Sequence, residues 1–154
     1  MNGMDVLRQC AAYGKDREKL EARRYYASEA RMRIQSGIVS APQGSASRDK
    51  MGDLTARIDA CNRALGIREA MYRMELTEAS RLMECLSPEV GVVLYGRYVR
   101  GLTMRQVAGE QRRSEGSIRG LRRRGEMEAE NLRSLLEYDD QYAKLATEYE
   151  YLRV

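Results

Sequence analysis

Apolar residues recur along this chain at helical spacing and almost never with the alternation of a strand. From Met4 to Ile34, Tyr13, Leu20, Ala27 and Ile34 return every seven residues, while Lys15, Arg17, Glu18, Lys19, Arg23 and Arg24 fill the other faces. The pattern predicts one helix roughly 45 Å long at about 1.5 Å per residue, with a seam so thin that it needs a partner. Asp49 to Leu86 predicts a second helix. Met51, Leu54, Ile58, Cys61, Leu65, Tyr72, Ala79, Leu82 and Leu86 follow a three-four spacing, which Arg68 and Glu75 interrupt. Gly66 costs about 1 kcal/mol relative to Ala and marks a candidate bend. Between the two helices, residues 35–48 hold Gly37, Pro42, Gly44 and, within IVSAPQGSAS, three serines, the composition of a connecting loop. Residues 1–86 are therefore expected to form a long, coiled-coil-like helical hairpin, a stalk or dimerisation element.

Ser87-Pro88 stops the second helix and starts another, with Ser87 as cap and Pro88 at the first helical position. Val93, Leu94 and Tyr98 form an apolar face that Gly101-Leu102 ends. Thr103 and Gln106 have the spacing of a capping box, and Val107 and Ala108 form the inner face of the short helix they open. Ser114 is the next cap, after which Ile118 and Leu121 share one edge. Residues 87–127 thus read as a helix-turn-helix whose last helix enters a DNA major groove. Beyond it, Leu132, Leu135, Tyr138, Tyr142, Leu145, Tyr149 and Leu152 predict a C-terminal amphipathic helix within residues 128–154. That helix either continues the preceding one or follows a break near Gly125. The fold class is all-α.

VLYGRYVRGLT followed by QVA resembles region four of the sigma-70 family, and SIRGLRRRG resembles that family's recognition helix, with Ile118, Arg119, Leu121 and Arg124 on matching positions. With the long helical segment and the SAPQGSAS loop, the layout is similar to small phage and prophage proteins that are sigma-factor-like transcriptional regulators. The resemblance implies a DNA-binding regulator working with bacterial RNA polymerase in the host cytoplasm. Two departures stand out. Gly116 and Gly120 occupy positions that carry base-reading side chains in the family, and Gln111-Arg112 replaces the usual apolar–glycine pair of the turn. No promoter-melting segment is recognisable.

Charge sharpens this picture. The net charge is only +4, but Arg97 to Arg124 holds nine arginines against Glu110 and Glu115, whereas residues 125–154 hold eight acids against three bases. Such a basic module suits double-stranded DNA, where arginines neutralise phosphates and base-edge contacts set specificity. The expected DNA contacts are Arg105, the turn residues Arg112, Arg113 and Ser114, and Glu115, Ser117, Arg119, Arg122, Arg123 and Arg124 on the third helix. Arg119 has the chemistry to pair with guanine and Glu115 to accept from cytosine. At about 100° per residue, Arg122, Arg123 and Arg124 cannot all face one groove.

Histidine is absent, and Cys10, Cys61 and Cys85 are widely spaced. Zinc sites, disulfide frameworks and nucleophilic catalysis therefore lack their usual parts, and neither an enzyme nor a bound cofactor is expected. Neither a signal peptide nor a membrane-length apolar run stands out. Other partners the pattern allows are a second copy through the helical seams and, in rival readings, DNA held by a small-terminase-like packaging subunit. A third reading is a coiled-coil module whose degenerate helix-turn-helix binds only protein.

Overall fold

The computed structural model describes residues 1–37 and 45–153, with the backbone alone for residues 45–48. The middle of the expected connecting loop, residues 38–44, lies outside the described residues. Six α-helices account for nearly all the rest: α1 (Gly3–Gln35), α2 (Ser45–Glu84), α3 (Pro88–Leu94), α4 (Met104–Gln111), α5 (Glu115–Glu130) and α6 (Asp140–Leu152). A π-helical turn, Tyr95–Val99, follows α3, and a 3-10 turn, Leu135–Tyr138, precedes α6. Among the described residues there is no strand, only an isolated bridge between Asn2 and Arg133. The protein is all-α. No helix among the described residues is long and apolar enough to cross a membrane.

The chain divides into two compact units, residues 1–13 with 71–144, and residues 14–70 with 145–154. Each draws on more than one of the segments 1–86, 87–127 and 128–154 expected from the pattern.

In the second unit, α1 and α2 pair in opposite directions. Ala27 packs with Leu54 and Ile58, with Ala30 and Ile34 alongside. Arg24 donates to Asn62 at 3.1 Å, and further along Arg68 meets Asp16, also at 3.1 Å. Falling numbers on one helix thus meet rising numbers on the other. Gly66 does not interrupt α2. Arg68, which broke the apolar spacing, is nevertheless in the seam and only 1% exposed. Its Asp16 partner compensates for a burial that an unpaired guanidinium would not tolerate.

In the first unit, α5 packs on both α3 and α4. The core joins Val93, Val107, Ala108 and Ile118, with Leu102, Met104 and Leu121 against it. Gly125 makes this approach close: a Cβ there would lie 2.4 Å from a Val90 methyl. α5 therefore runs through Gly125 rather than breaking there, and ends at Glu130. The residues 131–139 that follow are not helical in the expected register. The Glu78 carboxylate accepts from the Ser134 hydroxyl at 2.9 Å and from the backbone N–H groups of Leu135 and Leu136. Those bonds hold the chain in a short turn. Leu135 and Tyr138, expected on the C-terminal seam, are consequently exposed, while Tyr142 and Tyr149 on α6 are buried as expected.

Residues ahead of α1 belong to this unit too. Asn2 and Asp5 cap the helix reciprocally at 2.8 and 2.9 Å, and the Gly3 N–H reaches the Leu132 carbonyl. Cys10 and Cys61 are buried in the helix seams, but Cys85 is exposed, since α2 ends beside it.

Candidate nucleic-acid interface

Gly101 ends the helical stretch with φ +70, a conformation glycine adopts without strain. Thr103 then opens α4 with the expected capping box: its hydroxyl accepts the Gln106 N–H at 3.1 Å, and the Gln106 side chain accepts the Thr103 N–H at 2.9 Å. Val107 and Ala108 turn inward, and Arg105 stays exposed. Three residues, Arg112 to Ser114, join α4 to α5.

The turn is closed by backbone geometry. The Arg112 N–H bonds the Gly109 carbonyl and the Arg113 N–H bonds the Ala108 carbonyl, the paired bonds of a Schellman cap. Arg112 takes the left-handed position with φ 53 and ψ 45, and is the sole non-glycine among the described residues with positive φ. Its charged side chain thus stands where glycine costs least. Ser114 caps α5 by accepting the Ser117 N–H at 3.2 Å.

From there Ile118 points into the core, fully buried. At about 100° per residue, Gly116, Gly120 and Met127 lie opposite it, flanked by Arg119 and Arg123 on one side and by Ser117 and Arg124 on the other. A Cβ on Gly116 or Gly120 would meet nothing within 4 Å, so packing within the chain does not require glycine at either position.

The expected contact residues divide into two sets. Arg105, Arg112 and Arg123 are exposed and form no ion pair among the described residues, and Arg119 has only a 3.5 Å approach to Glu115. The others are occupied. Arg113 meets Glu89 at 3.1 Å, and Arg124 reaches the same carboxylate at 3.4 Å, the Ser87 hydroxyl at 3.2 Å and Glu128 at 3.5 Å. Ser87 has the extended backbone of a cap (φ −60, ψ 142), but its hydroxyl serves Arg124 and makes no bond to the start of α3. Arg122 donates to Glu126 at 2.7 Å, and the Tyr98 hydroxyl donates to the same oxygen at 2.7 Å. Just outside this set, Arg100 and Glu110 form a two-pronged pair at 2.7 and 2.9 Å.

These pairs leave electrostatic traces. Burial is the largest influence on Tyr98 and raises its pKa, with the Glu126 hydrogen bond adding in the same direction. Burial also acts to raise Glu126, but the bonds from Arg122 and Tyr98 outweigh it and hold the carboxylate below its usual value. Along its whole length α5 is balanced, with Arg119, Arg122, Arg123 and Arg124 against Glu115, Glu126, Glu128 and Glu130. The positive character therefore belongs to the turn and to residues 115–124 of the helix, and the acids other than Glu115 to its last turns.

Sequence spacing alone reveals the i,i+4 pairs Arg122–Glu126 and Arg124–Glu128. Glu89, 24 residues from Arg113 and 35 from Arg124, has no such signal. Among the described residues no group of three or more Cys, Asp or Glu side chains is placed to hold a metal ion. Comparison with known proteins gave no matching family model, curated protein or solved structure.

Proposed function

We propose that this chain is a non-enzymatic DNA-binding regulator, which seats α5 in the major groove and uses α4 and the turn to hold the phosphate backbone. The observation that carries this reading is the set Arg105, Arg112, Arg119 and Arg123, exposed around a capped helix–turn–helix with little or no internal neutralisation. Arginine suits both tasks, since its planar fork pairs with phosphate oxygens and with guanine edges. Ser114 and Ser117, at the N-terminus of α5, lie where backbone N–H groups and the helix dipole favour a phosphate. The resemblance to sigma region four extends this reading to transcription of phage or prophage genes in concert with bacterial RNA polymerase.

A second reading is a protein-interaction module. It is favoured by the carboxylates that occupy Arg113, Arg122 and Arg124, and by the two glycines on the outer face of α5.

A salt titration of binding to random-sequence duplex DNA separates the two. Each phosphate contact adds about 0.9 to the negative slope of log affinity against log salt. Replacing Arg105 and Arg123 by Ala and Arg112 by Gly removes three charges that have no ion pair among the described residues and is expected to make the slope shallower by about 2 to 3. Absence of binding by the wild type at low salt, or an unchanged slope in the triple variant, would favour the protein-interaction reading.

A further inference from the structure

In the second unit, α1 and the end of α6 enclose a concavity of about 310 Å³ lined by Asp16, Lys19, Leu20, Arg23, Tyr149 and Arg153. Three cations and one carboxylate line it, and the carboxylate is already engaged by the buried Arg68 at 3.1 Å. Lys19 has no ion pair among the described residues. Arg153 meets Glu150 at 3.3 Å, and Arg23 donates to the Arg153 carbonyl, which steadies the rim.

Tyr149 is the telling residue. It is only 6% exposed, yet its hydroxyl has no hydrogen-bond partner among the described residues, and the oxygen is not sealed from solvent. A phenol this buried ordinarily finds an acceptor. Burial is the main influence that raises its pKa, which keeps the hydroxyl protonated and able to donate at neutral pH.

We propose that this concavity binds the terminal phosphate of a small phosphorylated molecule, with Lys19, Arg23 and Arg153 balancing its charge and the Tyr149 hydroxyl donating to an oxygen. A terminal phosphate is a compact dianion that can enter and reach a buried hydroxyl. The diester of a duplex carries one charge and continues on both sides, so it suits the exposed arginines of the first unit better. This site is independent of the DNA reading.

The probe is pyrophosphate, titrated calorimetrically into the full chain against sodium chloride at matched ionic strength. Saturable binding is expected for the wild type. Tyr149→Phe removes a hydroxyl that has no partner among the described residues, so the fold stays intact, checked by circular dichroism, while affinity falls at least about tenfold. Lys19→Ala, at an exposed position, is expected to weaken binding as well. The triple variant at Arg105, Arg112 and Arg123 is expected to bind pyrophosphate like the wild type, whatever it does to DNA. The proposal is overturned if pyrophosphate gives no more heat than chloride, or if the folded Tyr149→Phe variant binds it equally well. It is also overturned if Tyr149→Phe and Lys19→Ala weaken binding of a short duplex but leave pyrophosphate untouched, which would make the concavity an auxiliary DNA contact.

Discussion

The hydroxyl of Tyr142 on α6 donates a 2.7 Å hydrogen bond to the carboxylate of Glu75 on α2, and Glu75 is fully buried. Each residue makes sense of the other. Glu75 breaks the apolar seam of α2 by sequence, and the tyrosines of α6 look like generic seam residues. Together they form a polar pair, and a shift of one helix by a turn would leave a buried carboxylate without this donor. Tyr142→Phe is therefore expected to lower unfolding stability by about 1 to 3 kcal/mol. Adding Glu75→Leu should recover part of the loss, since position 75 then holds no buried carboxylate. Urea denaturation of the wild type, both single variants and the double variant measures the coupling. Strict additivity would deny the pair its role.

Glu78, one helical turn further on, links stability to pH. Burial is the largest single influence and pushes its pKa up, but the bonds from Arg81, Ser134 and the Leu135 N–H together hold it below the ordinary value of 4.5. The unfolded chain thus binds the proton more tightly than the folded one. The stabilisation is complete above about pH 4.5 and is lost as pH falls through the folded value. Unfolding midpoints measured from pH 7 downward should drop in that acid range, and Glu78→Gln should flatten the decline while lowering stability at neutral pH. Glu126 and Glu137, also held low by partners, will keep some acid sensitivity in the variant. A Glu78→Gln curve parallel to the wild type would remove Glu78 from the account.

Much of this was legible in the chain, and the failures have physical causes. The capping box at Thr103, the Ser114 cap and the inward Val107, Ala108 and Ile118 are local features, set by residues three or four apart, and spacing reveals them. Arg68 and Glu75 counted as interruptions because a hydropathy pattern cannot know that Asp16 and Tyr142 wait across the helix interface. The regular spacing of Leu132, Leu135 and Tyr138 misled for a related reason. A distant carboxylate, Glu78, captures the backbone there and overrides local periodicity. At the candidate interface the arginines were visible, but their occupation by Glu89 is a tertiary fact.

Arg112 offers a test that separates stability from binding. A residue other than glycine in the left-handed region costs roughly 1 kcal/mol, offset in part by the greater freedom of glycine in the unfolded chain. Arg112→Gly is expected to raise stability by about 0.5 kcal/mol, since the turn keeps its backbone bonds. On the proposed function, the same change should weaken duplex binding and reduce the salt slope by about 0.9. Thermal melts and salt titrations on one preparation check both. A variant that is more stable and binds equally well would keep Arg112 out of the interface.

Glu89 sets the last expectation. Its carboxylate lies 3.1 Å from Arg113 and 3.4 Å from Arg124, so one acid at the start of α3 faces two arginines of the proposed phosphate-gripping surface. A duplex that uses those arginines has to displace the carboxylate first. The three side chains are about half exposed, so the pairs themselves add little to stability. Glu89→Gln should accordingly leave the melting temperature nearly unchanged. Affinity for random-sequence duplex should rise at low salt, and the slope of log affinity against log salt should steepen by about 0.9 for each arginine released to a phosphate. Arg113→Ala in the Glu89→Gln background should take back its share of that gain. If Glu89→Gln binds no better and with the same slope, Arg113 and Arg124 serve the fold alone, and the DNA surface shrinks to Arg105, Arg112, Arg119 and Arg123.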